Sequence, residues 1–278
     1  MSRDPRLTLA RPDLAAVALE GRVAAERYAA PTPRACRVAA TAIRTAPASG
    51  AEQADQLLFG ETFDVLDEAD GFAWGQARRD GYVGYVDLEA LGVPVLATHW
   101  VRALRTYGFE APSIKSPALG PYSQNALVSV VETEGRFVRD RGGAWFVAAH
   151  LAPVGLDFAS DPAGVAERYL ETPYLWGGRE SLGLDCSGLV MQARLACGLS
   201  CPRDTDQQEA AFTQDADPSA LRRGDLVFWR GHVAMMLSPD QMIHANAHHM
   251  AVAIEPLNTA IARIEAAGSG EPTSYRRP

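Results

Sequence analysis

Between residues 33 and 150 the chain carries glycine turn pairs that alternate with short strand-like runs. Asp70-Gly71, Asp80-Gly81, Glu134-Gly135 and Gly142-Gly143 separate brief runs rich in β-branched and aromatic residues, at 63–66, 72–77 and 82–86 and then at 128–132, 136–139 and 144–148. Asp-Gly is a strong short-range hairpin signal, because the tightest turns need positive φ at their centre and glycine supplies it without strain. The pattern therefore predicts two successive small antiparallel units. Ahead of them, Asp13 is placed to cap an apolar-periodic helix running from Leu14 toward Tyr28. Beyond them the texture turns helical from Asp161 through Val165 to Leu170 and breaks at Thr172-Pro173. It becomes helical again from near Cys186, with Leu189, Val190, Ala193 and Leu195 at helical spacing and Gly198 as a stop. Strand-like runs at 226–229, 233–237, 242–245 and 252–256 complete a C-terminal third that reads as α+β.

Charge and composition exclude several classes of function. The net charge is −8, and the 26 basic residues, all arginine except Lys115, are scattered along the chain. Phosphate-backbone binding depends on clustered cations, so nucleic acid is not expected as a partner. No run of about 18 apolar residues exists to span a membrane. The polar start, with Arg3, Asp4, Arg6, Arg11 and Asp13, does not lead into a signal-peptide core, so a cytoplasmic location is expected. Four cysteines are too few and too unevenly spread for a disulfide framework, which suits a reducing compartment. Cys36, Cys197 and Cys201 read as small core residues. Cys197 and Cys201 together with His248 and His249 match no common zinc spacing, and neither metal nor cofactor is expected. His99 and His150 read as packing or solvent-facing residues.

Chemistry concentrates after residue 173. Tyr174-Leu175-Trp176-Gly177-Gly178 is followed by Gly183-Leu184-Asp185-Cys186-Ser187-Gly188, which puts a cysteine where a glycine-rich loop becomes a helix. A helix N-terminus offers unpaired N–H groups and partial positive charge, which favour a thiolate and can stabilise an oxyanion. Such a nucleophile needs a group to carry its proton, and histidine has the right basicity. His232 follows the turn and strand Arg223-Gly224-Asp225-Leu226-Val227-Phe228-Trp229 and opens the next strand. His244 lies one strand further on, after the turn Ser238-Pro239-Asp240. Only an odd-numbered or bulged loop between those strands puts the two rings on one face. If the loop has that form, His244 can orient His232 toward Cys186.

These segments, in this order, with Gly-His-Val and Met-Ile-His-Ala, resemble the NlpC/p60 family of cell-wall peptidases over most of the stretch from Tyr169 to Ala245. The resemblance implies a papain-like fold, with Cys186, His232 and His244 in the catalytic positions and hydrolysis of the bond between γ-D-glutamate and a diamino acid. The N-terminal two-thirds resembles a subgroup in which two bacterial SH3-like domains precede the peptidase. The expected fold class is thus α+β, a papain-like domain at 156–278 behind two small SH3-like β-barrels at 34–95 and 96–155, with a helical and loop segment at 1–33. The same resemblance implies that Glu61, Tyr82 and Asp185 meet the free amino terminus of the substrate, with Tyr85 a weaker substitute for Tyr82. It further implies that Tyr174 and Ser187 line the cleft and that Arg203, Asp204 and Thr205, in Pro202-Arg203-Asp204-Thr205-Asp206-Gln207-Gln208, lie near the substrate. The expected substrate is a small murein peptide with a free N-terminal L-alanine, cut during cell-wall peptide recycling. Two other readings remain open. One is a papain-like amidase or acyltransferase acting on another acyl group, and the other is a peptidoglycan-binding module with an idle peptidase domain.

Overall fold

A computed structural model describes residues 3–278. The chain divides into two compact units, Met1–Leu156 and Asp157–Pro278. No helix among the described residues is long and apolar enough to cross a membrane.

The regular structure of the first unit is strand, apart from short 3₁₀ turns. Seven strands form one sheet in the order Gln53–Leu58, Ala40–Arg44, Val83–Asp87, Phe72–Ala77, Thr62–Ala69, Thr32–Cys36 and Leu91–Gly92. Its first and last members are edges, so the expected barrel takes the form of an open sheet. Alternation decides which residues go inside: Phe63 and Val65 are buried, whereas Asp64 faces out and binds Arg78 through two 2.7 Å hydrogen bonds. The predicted Asp70-Gly71 turn is present, with φ of 53° and 81° between the paired Ala69 and Phe72. A five-stranded and a three-stranded sheet follow, built from strands between His99 and Pro153. Their core contains Val101, Val128, Val138 and Phe146, and Tyr122 stands edge-on to Phe59 and Phe146 at 4.9 and 5.0 Å between ring centres.

The helix expected from Leu14 toward Tyr28 is absent. Ala15–Ala16 instead pairs in parallel with Tyr28–Ala29, and only short 3₁₀ turns occur, at Pro5–Leu7 and Val17–Leu19. Leu9, Leu14 and Ala16 pack on Trp74, and the Arg11 guanidinium lies 4.2 Å from the centre of that ring. Asp13 binds Arg11 rather than capping a helix. Burial against a large aromatic from a distant strand outweighs helix propensity, which is worth only tenths of a kcal/mol per residue.

The second unit carries four helices, α1 (Pro162–Glu167), α2 (Cys186–Ala196), α3 (Thr205–Ala211) and α4 (Leu257–Ala266). Its antiparallel sheet runs in the order Ala251–Pro256, Gln241–Asn246, His232–Met236, Leu226–Trp229 and Ser274–Arg276. Asp161 caps α1, and α2 packs on α1 and on the His232–Met236 and Gln241–Asn246 strands. Leu257, Ala260 and Ile264 of α4 cover a sheet face made by Val227, Trp229, Ala234, Met236 and Met242.

Candidate active site

The loop before α2 prepares the cysteine. Asp185 is the N-cap, its Oδ1 accepting from the Gly188 N–H at 2.7 Å, and Cys186 is the first helical residue. Gly188 admits no side chain, since a Cβ there would come 2.3 Å from the Gly178 carbonyl oxygen. Asp185 Oδ2 accepts from the Gly177 N–H at 2.9 Å, which fastens the Trp176-Gly177-Gly178 loop to the helix start. The buried Arg203 donates to both oxygens of Asp185, at 3.0 and 2.7 Å, and to Ser187 Oγ at 2.9 Å. Gln208 Nε2 donates to the Ser187 carbonyl at 3.0 Å. The first turn of α2 is therefore held from three sides before any substrate arrives.

The histidines come from the sheet. Met235 pairs with Ile243 and Met236 with Met242, and the Leu237 N–H reaches the Gln241 carbonyl, which leaves Ser238, Pro239 and Asp240 as a three-residue loop. That odd loop satisfies the parity condition. The side chains of 232, 234, 236, 242, 244 and 246 share a face, and His232 Nε2 lies 2.8 Å from His244 Nδ1. His244 Nε2 in turn lies 2.7 Å from Glu255 Oε1, and Arg263 of α4 binds the same carboxylate oxygen.

The electrostatics fix which nitrogen carries which proton. Burial alone would raise the Glu255 carboxyl, but hydrogen bonds from His244 and Arg263 override it and hold it down at about 2. An ionised carboxylate only accepts, so His244 carries its proton on Nε2. A neutral His244 then accepts at Nδ1, and His232 must donate from Nε2. The bare nitrogen of His232 is Nδ1, and the Cys186 sulfur lies beside the same strand, accepting from the Val233 N–H. Burial, followed by the fields of His244 and Arg263, pushes the His232 imidazolium down to about 3, with only Glu255 opposing. Burial and then the Asp185 charge push the Cys186 thiol up to about 11. The backbone N–H groups of Val233 and Ser187 and the Thr205 hydroxyl, 3.8 Å from Sγ, work in the other direction. The resting pair is thus a neutral thiol and a neutral imidazole, because burial outweighs the helix N-terminus that favours a thiolate in the sequence reading.

Asp185, Ser187, Arg203 and Thr205 join Cys186 around one helix start. Arg203 is turned inward onto Asp185 rather than toward solvent. Asp204 caps α3 in a reciprocal capping box with Gln207. Tyr174 is half-buried, its backbone N–H bonded to the Met250 carbonyl, and burial together with the nearby Cys186 and Asp185 raises its phenol. Glu61 and Tyr82 lie in the first unit. Glu61 is buried, with Oε1 accepting from Arg79 at 2.8 Å and Oε2 from the Leu58 N–H at 2.9 Å. Tyr82 is buried among Ile43, Phe63 and Val86, while Tyr85 receives a hydrogen bond from Arg11 at 3.4 Å. Sequence reading missed Glu255 and Arg263. Their only available signal was that Glu255 would sit opposite Met242 if the strands paired in this register.

One donor trio resembles a metal site: His244, His249 and Glu255 each bring a ligand atom within 4.8 Å of the others. The fit is poor, because Glu255 Oε1 already receives both His244 and the Arg263 guanidinium, whose charge repels a cation.

A cysteine at the N-terminus of a helix packed on an antiparallel sheet that carries two linked histidines defines a papain-like thiol-nucleophile domain. The profile of the NlpC/P60 family matches residues 171–268, and that of the bacterial dipeptidyl-peptidase SH3 domain matches residues 43–91. The γ-D-glutamyl-L-lysine dipeptidyl-peptidase of Bacillus subtilis (strain 168) is 32% identical over 219 residues, covering 68% of this chain and 71% of that protein. The chain belongs to the NlpC/P60 family, a family of cysteine peptidases. Dipeptidyl-peptidase 6 of Lysinibacillus sphaericus is 37% identical over 89 residues, 32% of this chain and 33% of that protein. The match thus spans about a third of that relative's length, and 32% of a γ-D-glutamyl-L-lysine dipeptidyl-peptidase of Bacillus cereus (strain ATCC 10987 / NRS 248). Among solved structures, an NlpC/P60 family protein from Bacillus cereus ATCC 10987 has the same fold, with a TM-score of 0.74 and 22% identity over 88% of this chain and 99% of that one.

Proposed function

We propose that this chain is a cytoplasmic cysteine peptidase of cell-wall peptides, cutting between γ-D-glutamate and the following diamino acid in stem peptides with a free N-terminal L-alanine, as part of peptide recycling. The observation that carries the reading is the chain His232, His244 and Glu255, which leaves one bare nitrogen on His232, on a strand whose next residue, Val233, donates its N–H to the Cys186 sulfur. In the reaction, the Cys186 proton passes to His232 Nδ1 as Sγ forms a bond to the γ-carbonyl carbon. The oxygen that becomes anionic is stabilised by the N–H groups that a helix start leaves unpaired. The C–N bond then breaks, and His232 returns the proton to the departing amine of the diamino acid. Water attacks the resulting thioester, giving a proton to Nδ1; the C–S bond then breaks, the γ-D-glutamyl carboxyl product leaves, and His232 returns the proton to Sγ.

The names of the relatives support this bond as the target, and the resemblance at Glu61 supports selection for a free amine. The Glu61 carboxylate is already paired with Arg79, so an incoming ammonium competes with that guanidinium. The test supplies stem peptides with free and with acetylated N-termini and identifies the products by mass. Cleavage of the free peptide alone, at the γ-D-glutamyl bond and lost in Cys186→Ala, is expected. Equal cleavage of both peptides defeats the free-amine claim, and activity surviving Cys186→Ala defeats the mechanism.

A further inference from the structure

The relay continues past the two histidines, and its last members come from the far end of the sheet and from α4. Glu255 pairs across the strands with Met242, two residues before His244 and on the same face. That diagonal brings its carboxylate to His244 Nε2 at 2.7 Å. Arg263, two turns into α4, reaches the same oxygen. His244 and Glu255 are both buried, so neither finds water as an alternative partner. His249 is a further titratable group acting on His244, and the Cys186 sulfur accepts from the N–H of Val233, the residue after His232.

We infer that Glu255 and Arg263 are positioning residues for the nucleophile: together they dictate the tautomers of His244 and His232, so that His232 keeps Nδ1 without a proton and able to take one from Cys186. The inference rests on the catalytic assignment of Cys186 and His232 made above, but on no particular substrate. A carboxylate kept ionised by the arginine forces the proton of His244 onto Nε2, and the proton of His232 follows onto its own Nε2. Were the His244 proton on Nδ1, it would donate to His232 Nε2. His232 would then carry its proton on Nδ1, where it cannot accept one from the thiol. When His232 does take the thiol proton, its Nε2–H and the His244 Nε2–H both remain in place, and the positive charge is met by Glu255 through an unbroken chain of donors. No proton moves to the carboxylate.

Histidine-selective ¹⁵N spectra of the full chain, together with mass-spectrometric measurement of Cys186 alkylation by iodoacetamide near neutral pH, test this without any peptide substrate. In the wild type both rings are expected as Nε2–H with bare Nδ1. Glu255→Ala is expected to mix the tautomers of both rings and to slow alkylation about tenfold, a part of the roughly 10²–10⁴-fold worth of the base that it positions. Arg263→Met lowers the rate by less, and Arg263→Lys, which keeps the charge, restores most of it. If Glu255→Ala does not fold, the two arginine variants carry the comparison. A proton on His232 Nδ1 in the wild type, or unchanged spectra and rates in both Glu255→Ala and Arg263→Met, would overturn the inference. Normal tautomers and fast alkylation with no cleavage of stem peptides would leave it intact and defeat the proposed substrate instead.

Discussion

Replacing Asp185 with alanine strikes the most heavily shared side chain of the site, and its cost can be worked out contact by contact. The helix cap to Gly188 is worth about 1 kcal/mol, and the Gly177 tether and the Ser187 hydroxyl lose their acceptor as well. The larger effect falls on Arg203, which is 1% exposed and loses a two-pronged partner. Stranding one member of a buried ion pair costs about 3–5 kcal/mol. Arg203 keeps Ser187 Oγ and the Gly178 carbonyl, which places its share near the lower end. Because these contacts form one network, their costs do not simply add, and a total of about 4 kcal/mol is expected. With a urea slope of about 2 kcal/mol per molar, the unfolding midpoint of the second unit drops by about 2 M. Hydrogen exchange of peptides from α2, measured across a urea series on the full chain, reads that unit specifically. The companion variant Asp185→Ala/Arg203→Met removes the stranded charge and should recover about half of the loss. A single variant that loses under about 1 kcal/mol, or a double variant no more stable than the single, would refute the reasoning.

Three further outcomes are expected. Gly188→Ala forces a methyl against the Gly178 carbonyl, so the unfolding midpoint should fall by the equivalent of about 1–3 kcal/mol and peptide cleavage should fall with it. Glu255 has its carboxyl depressed to about 2, so the stability it adds is complete above its unfolded value near 4.5 and disappears as the pH falls toward 2; thermal melts of Glu255→Gln should accordingly show a smaller acid-induced drop across that window than the wild type. His232 is held neutral when folded but takes a proton below about 6.5 when unfolded, so wild-type stability should decline as the pH falls from there toward 3, and His232→Gln should lose part of that slope.

What could be read from the sequence depended on how far apart in the chain the cooperating residues lie. Asp70-Gly71 was legible because the turn is chemically self-contained: both residues adopt positive φ and nothing remote decides it. Cys186 was legible for the same reason, since cap, nucleophile and the small Gly188 fall within four consecutive positions. His232 and His244 could be paired only conditionally, on the length of the intervening loop. Arg203 shows the limit of local rules, because an arginine in a polar stretch suggests solvent, whereas the fold closes it against Asp185. Glu255 and Arg263 left no local trace, as their meeting with His244 needs strand pairing and the return of α4. Leu14 failed as a helix start because Trp74, far along the chain, offers more buried area than a helix would.

The loop Ser238-Pro239-Asp240 tolerates changes of length in an unequal way. One residue more or less moves His244 to the opposite side of its strand and disconnects it from His232, whereas two residues more restore the alignment. Surface loops usually accept insertions at small energetic cost. This one therefore filters insertions by whether their length is odd or even, and functional descendants of this chain should differ here by multiples of two unless a bulge compensates.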